Sequence, residues 1–182
     1  MAGPFGVVKE QASGLYAQEM ASRGFLAIAF DPSYTGESGG EVRDTADPAI
    51  NSEDFSAAVD YLSCRDDVDP ERIGIIGICG WGGFALNAAA MDTRIKATVT
   101  STMYDMTRVS AYGYHDSTDE DARYGMRRQL AAARTADYAS AAYSKPDMSA
   151  AAQSDEEPPQ FLKDYTWPTT PPAWDARSTR AR

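Results

Sequence analysis

The residues best able to do chemistry lie in the stretch GICGWGGFALNAAA, residues 77–90. Cys79 follows a run of apolar residues and precedes an alanine-rich segment, so it stands at a strand-to-helix corner. Gly77, Gly80, Gly82 and Gly83 surround it and permit a sharp turn with close backbone approach. The amides and dipole of a helix N-terminus favour a thiolate over a thiol. The same amides can receive an oxyanion formed when a carbonyl is attacked. These are the mechanical requirements of a nucleophile elbow. The turn alone leaves a second reading open, in which Cys79 is a small buried residue, as free cysteines often are. A phosphate-binding turn fits less well, because the P-loop lysine and the Rossmann glycine spacing are both missing.

A thiol nucleophile needs a base, usually a histidine oriented by a carboxylate. The chain has one histidine, His115, in YGYHDSTDED. It comes soon after the third apolar run, with no further strand and acid-bearing loop between it and Cys79. Its simpler reading is an exposed loop residue among acidic neighbours. Asp105 follows the run IKATVTS and is a candidate acid, or an ordinary loop carboxylate. One histidine and two distant cysteines, Cys64 and Cys79, lack metal-ligand spacing, so no metal and no other cofactor is expected. Cys64, near a helix end, reads as packing.

These groups need a scaffold, and 182 residues suffice for one domain with its own core. With 43% hydrophobic and 24% charged residues the composition is that of an ordinary globular protein. A net charge of −10 disfavours nucleic acid and anionic membrane as partners. Two cysteines and the lack of a signal-like N-terminal stretch point to a reducing, cytoplasmic setting.

Strand and helix signals alternate over the first part of the chain. Ala12, Leu15, Tyr16 and Met20 form an apolar stripe within a helix over 7–23, which Gly24 stops. FLAIAF (25–30) reads as a buried strand. The loop DPSYTGESGG follows, either a glycine-rich turn or the lining of a site mouth, and Asp31 at its start is placed to hydrogen-bond the corner at Cys79. A second helix is expected with Asn51 or Ser52 as N-cap and Phe55, Ala58, Val59 and Leu62 on its apolar face. RIGIIGI (72–78), a helix over 82–91 and IKATVTS (95–101) complete the pattern. Helices between such runs imply βαβ units, hence an α/β fold: a three-layer α/β/α sandwich with a mostly parallel sheet. Residues 118–143 suit a surface helix, and the acidic run 116–121 suits a solvated surface or a helix N-terminus. Trp81 reads mainly as packing over the helix that follows Cys79. Six of the ten prolines follow residue 145, so 166–182 reads as an extended or disordered tail. The expected division is 1–110 as core, 111–165 as a lid-like or peripheral helical segment, and 166–182 as tail.

VDPERIGIIGICGWGG resembles the elbow of the α/β-hydrolase superfamily, in its dienelactone-hydrolase-like or X-Pro dipeptidyl-peptidase-like branch. GPFGVVKEQASGLYAQEMASRGFLAIAFDPSYTGESGG and EDFSAAVDYL match in the order that branch uses, closely over 2–110 and loosely over 111–165. The resemblance implies Cys79 as nucleophile and the Gly80 amide as one oxyanion donor. Phe5 or Gly6 in GPFG would supply the second donor, and Trp81 would border the substrate. The implied substrate is a small-molecule ester, lactone or thioester, hydrolysed through an acyl-enzyme. The run G-x-C-x-x-G-G is one residue longer than the dienelactone form, and some relatives carry serine at position 81, so the nucleophile corresponds to Cys79 or to the position of Trp81. The family's order is nucleophile, acid, histidine, which leaves His115 and Asp105 as weak matches. The chain resembles the middle of a hydrolase, which implies truncation at both ends. Exposed edges would then make it marginal or dependent on a partner, including a second copy in a homo-oligomer. The alternative reading is a non-catalytic hydrolase-fold fragment that serves as a binding module.

Overall fold

A computed structural model describes residues 1–143. The tail expected over 166–182, and residues 144–165 of the peripheral segment, lie outside the described residues. The described elements are α1 (Ala12–Ser22), α2 (Pro48–Ser63), β1 (Gly74–Ile78), α3 (Gly80–Met91), β2 (Ala97–Ser101), α4 (Met106–Tyr112) and α5 (Glu120–Ser140). Short 3-10 turns occupy Pro70–Arg72 and Tyr114–Asp116.

β1 and β2 pair in parallel with Gly74 opposite Ala97 and Ile78 opposite Ser101, and α3 crosses between them. This is the βαβ unit expected from the alternating pattern. Ala2 adds a one-residue parallel bridge to Gly77 on the other side of β1. Its amide donates to the Ile76 carbonyl (3.2 Å), and its carbonyl accepts from the Ile78 amide (3.1 Å). β1 is therefore a central strand, and its four residues from Ile75 to Ile78 are buried. That burial on both faces explains why RIGIIGI is continuously apolar rather than alternating.

FLAIAF does not form the buried strand expected at 25–30. The segment carries no ladder, and Phe25 (58% exposed) and Leu26 (48%) face solvent. Among the described residues, 26–30 pair with Met1 alone, whose amino nitrogen donates to the Ile28 carbonyl (2.9 Å) and whose carbonyl accepts from the Phe30 amide (3.4 Å). An apolar run becomes a strand only where a neighbour offers a ladder, and here the neighbour is a residue or two long.

α1 begins later than the expected helix over 7–23, because residues 4–11 close two local turns instead (Val7 amide to Pro4 carbonyl, Gln11 amide to Val8 carbonyl). Its end is as expected. Gly24 takes φ +88°, and the Gly24 and Phe25 amides fold back onto the Ala21 and Met20 carbonyls. α2 starts three residues before Asn51. Asp47 is the N-cap, its carboxylate accepting from the Ala49 (2.9 Å) and Ile50 (3.0 Å) amides, and Pro48 takes the first helical position. Asn51 reaches back to accept from the Asp47 amide (2.7 Å), so it serves the cap from inside the helix.

The buried face of α2 is Asn51, Ser52, Phe55 and Val59. The polar pair is satisfied: Ser52 Oγ donates to the Pro48 carbonyl (2.6 Å) and accepts from Asn87 Nδ2 (2.9 Å), which ties α2 to α3. Phe55, Trp81 and Phe84 meet edge to face with centroids 5.2–5.9 Å apart and form the centre of the core with Ile75, Ala85 and Ala88. α3 lies close on β1 because position 77 has no side chain. A Cβ there would stand 2.8 Å from the Ala85 Cβ and overlap the Trp81 carbonyl oxygen.

α5 has no buried residue, as the weak periodicity of 118–143 implies. Asp119 caps it by accepting from the Ala122 amide (2.8 Å), and Glu120 and Asp121 occupy its first turn, so the acidic run serves as a helix N-terminus. No described helix is long and apolar enough to cross a membrane.

Candidate active site

Cys79 is the single residue between β1 and α3, with φ 59° and ψ −128°. Those dihedrals are those of a tight turn's glycine position, and holding a side chain there costs on the order of 1–3 kcal/mol. The surroundings over-determine it. The Cys79 amide donates to the Ser101 carbonyl at the end of β2 (2.8 Å), and its carbonyl accepts from the Gly82 amide (3.0 Å). Cys79 is half-buried. The Gly80 and Trp81 amides, the first two of α3, donate to no group among the described residues, as the opening amides of a helix commonly do not.

The segment before α1 closes over this corner. The Phe5 ring lies against Gly80, so closely that a Cβ on Gly80 would overlap it, and it meets Phe84 edge to face at 5.8 Å. Gly6, at φ +75°, turns the chain away. Phe5, Gly6, Val8, Pro32, Asp44 and Trp81 are among the residues lining a cavity of about 150 Å³ between this segment and the loop 32–46. DPSYTGESGG is thus both a turn, with the Tyr34 amide on the Gly39 carbonyl (2.8 Å), and a wall of this cavity. Trp81 is 3% exposed, and its ring belongs to the core.

Asp31 does not hydrogen-bond the Cys79 corner. It is 7% exposed, and its carboxylate accepts from the Lys9 amide (2.7 Å), Lys9 Nζ (2.9 Å) and the Glu37 amide (3.0 Å). Burial pushes its pKa up, but the Glu37 amide and the Lys9 ammonium and amide together outweigh this, and the carboxyl titrates below its ordinary value. Asp54 anchors the same loop by accepting from the Ser33 amide (3.0 Å) and hydroxyl (2.6 Å).

The other candidates lie apart from this cluster. Asp105 is the N-cap of α4, accepting from the Arg108 amide (2.9 Å) and the Thr107 hydroxyl (2.7 Å), and these two bonds hold its pKa below the ordinary value. His115 is exposed in the turn after α4, at φ 56°, with its ring 4.2 Å from that of Tyr114. No hydrogen bond joins Cys79, Asp105 and His115 among the described residues. Cys64 does not pack in the interior; it is exposed at the C-terminal cap of α2.

Two residues at the corner carry no sequence signal. Ser101 holds the Cys79 amide through its carbonyl and accepts or donates to the Tyr16 hydroxyl through Oγ (2.9 Å). Tyr16 lies 85 positions earlier on α1. The strand register that sets Ile78 opposite Ser101 is what brings this serine to the corner.

A parallel βαβ unit with a strained cysteine at its first strand-to-helix turn is an α/β-hydrolase arrangement. The dienelactone hydrolase family model matches residues 4–120, and the chain belongs to that family. It is 64% identical over 135 residues to the uncharacterized protein PA2218 of Pseudomonas aeruginosa, covering 74% of this chain and 36% of that protein. The crystal structure of PA2218 superposes with a TM-score of 0.80 at 57% identity, covering 90% of this chain and 51% of that one. The α/β hydrolase GrgF from Penicillium sp. superposes with a TM-score of 0.53 at 28% identity over 55% of this chain and 35% of that one. Thiohydrolase aneE of Aspergillus aculeatus is 35% identical over 100 residues, 55% of this chain and 31% of that protein. The chain spans about half or less of the length of each of these relatives.

Proposed function

We propose that the chain carries the nucleophile half of a cysteine-dependent acyl hydrolase acting on a small-molecule ester, lactone or thioester. The observation that carries this reading is Cys79 held at φ 59° directly before the helix whose first two amides have no partner among the described residues. Strain of that kind persists where a function requires it. In the proposed reaction the Cys79 thiolate attacks the carbonyl carbon and forms a C–S bond. The resulting oxyanion is received by the Gly80 amide and by the Phe5 or Gly6 amide. The tetrahedral adduct collapses and expels the alcohol or thiol, which takes up a proton. Water then cleaves the thioester, releasing the acid and restoring the thiol. The name of the thiohydrolase relative favours a thioester among the three substrates. Position 81 is not the nucleophile in this reading, because an indole cannot attack and the ring belongs to the core; Trp81 borders the acyl group through the cavity it helps to line. His115 as base and Asp105 as its orienting acid follow from the family's order alone. Replacing His115 by Ala should abolish turnover if it holds that role, and leave it unchanged if it does not. Both cysteines are free, which suits a reducing, cytoplasmic setting.

A second reading, a non-catalytic hydrolase-fold module, is favoured by one observation: no described residue is hydrogen-bonded to Cys79 as a base would be. Hydrolysis of p-nitrophenyl acetate by the full chain and by Cys79→Ala separates the two. A burst and turnover lost in the variant support the first reading; equal rates remove it.

A further inference from the structure

We infer that Asp31 is a positioning residue for the chemistry at Cys79: its carboxylate clamps the segment carrying the Phe5 and Gly6 amides against the loop that forms the facing wall of the cavity. This rests on the reading of Cys79 as an acyl-transfer nucleophile. Phe5 and Gly6 lie in a stretch without regular structure. The hydrogen bonds of that stretch are mostly its own: Val7 amide to Pro4 carbonyl, Gln11 amide to Val8 carbonyl, Val8 amide to Gln11 Oε1. None of these fixes its distance from α3. The Phe5 ring packs the stretch against α3, and Asp31 ties its far end, at Lys9, to the facing loop. One carboxylate oxygen accepts from the Lys9 amide (2.7 Å), and the other from Lys9 Nζ (2.9 Å) and the Glu37 amide (3.0 Å). The Asp31 carbonyl also accepts from Ser38 Oγ (2.6 Å), so the loop 32–38 is wrapped about the same residue. The wrap is tight enough that a Cβ on Gly36, at φ +55°, would overlap the carboxylate. Lys9 Nζ is shared with Glu37 (2.7 Å) and Glu10 (3.1 Å), both on the solvent side. The two walls of the cavity therefore meet at one buried carboxylate. An oxyanion donor acts only if it is in place before charge develops, and Asp31 sets where the Phe5 and Gly6 amides stand.

The test compares two reactions of the same thiol. Acylation by p-nitrophenyl acetate passes through an oxyanion; alkylation by iodoacetamide is a displacement at saturated carbon and does not. Both rates are measured in the full chain with Cys64→Ala as background, since Cys64 is exposed. In Asp31→Asn the Nδ2 donor would face the Glu37 amide and the Lys9 ammonium, so one arm of the clamp is lost. The expected result is acylation slowed on the order of 10²-fold, the cost of about 1 Å of misplacement, with alkylation unchanged. Should Asp31→Asn not fold, Lys9→Met removes the ammonium and keeps the backbone bond; it should slow acylation about tenfold under the same comparison. Equal loss in both reactions would mean a structural role only and overturn the inference. So would unchanged acylation. A parent protein that alkylates at Cys79 but never acylates would instead overturn the acyl-transfer reading, and the inference with it.

Discussion

The packing of α3 on β1 can be tested at Gly77, with a magnitude that follows from the coordinates. In Gly77→Ala the new methyl would sit 2.8 Å from the Ala85 methyl, against about 3.5–4.0 Å for relaxed carbon contact. The other obstacle is the Trp81 carbonyl oxygen, which is backbone and cannot rotate away. The helix must therefore move back by about 1 Å, and it carries Trp81, Phe84 and Ala85 of the core with it. Overpacking of this kind costs about 1–3 kcal/mol. Replacing a strand glycine returns about 0.5–1 kcal/mol by restricting the unfolded chain. A net loss of about 1 kcal/mol should lower the melting temperature by roughly 2–4 °C for a chain of this size. Circular dichroism melts of the wild type and Gly77→Ala, with Gly39→Ala as a control in open space, would measure it. An unchanged or raised melting temperature in Gly77→Ala would refute the strand–helix spacing, and with it the argument for why a glycine precedes the cysteine by two positions.

Gly125→Ala, inside α5 with nothing within 4 Å of its missing Cβ, should stabilise the helix by about 0.8–1 kcal/mol, read as a gain in helical signal and melting temperature. Asp47→Ala removes the acceptor for two amides of α2 and should cost about 1 kcal/mol in urea unfolding. Asp92 is paired with Arg94, which draws its pKa from 3.8 to about 2 despite partial burial. Its folded value lies below its unfolded one, so its contribution is present above pH 3.8 and is lost as pH falls through about 2. Stability of wild type and Asp92→Asn should therefore differ at pH 5 and converge near pH 2, as measured by urea titration at each pH.

What could be read from the residues tracks how local the determinant is. β1 was legible because a strand buried on both faces is continuously apolar, and the glycine cluster marks the turn from it into α3; β2, with no buried residue, was legible from its β-branched residues and its place after α3. Gly24 was legible because a left-handed cap is written in one residue. The start of α2 was misplaced because Asp47-Pro48, an acceptor followed by a residue with φ already set, outcompetes Asn51 and Ser52 for the cap, and both of those are fully buried instead. FLAIAF failed as a strand for a non-local reason: its hydrophobicity is right, but a ladder needs a partner, and among the described residues only Met1 provides one. The site divides the same way. Cys79, Gly80 and the Phe5–Gly6 turn follow from motifs, whereas Ser101, Tyr16 and the Asp31–Lys9 clamp depend on register and on contacts spanning tens of residues. Asp105 was visible as a carboxylate after a strand, but its two short-range acceptor bonds make it a cap.

The backbone angle at Cys79 also limits which side chains evolution or an engineer can place there. A branch at the β-carbon is a genuine outlier at positive φ, so valine, isoleucine and threonine are excluded. Among the aliphatic hydroxyl and thiol nucleophiles, serine and cysteine remain, each bearing that atom on an unbranched β-carbon. The bend therefore works as a filter on reactivity: exchange of sulfur for oxygen should leave the turn intact, while a secondary alcohol in its place would first have to rebuild the corner.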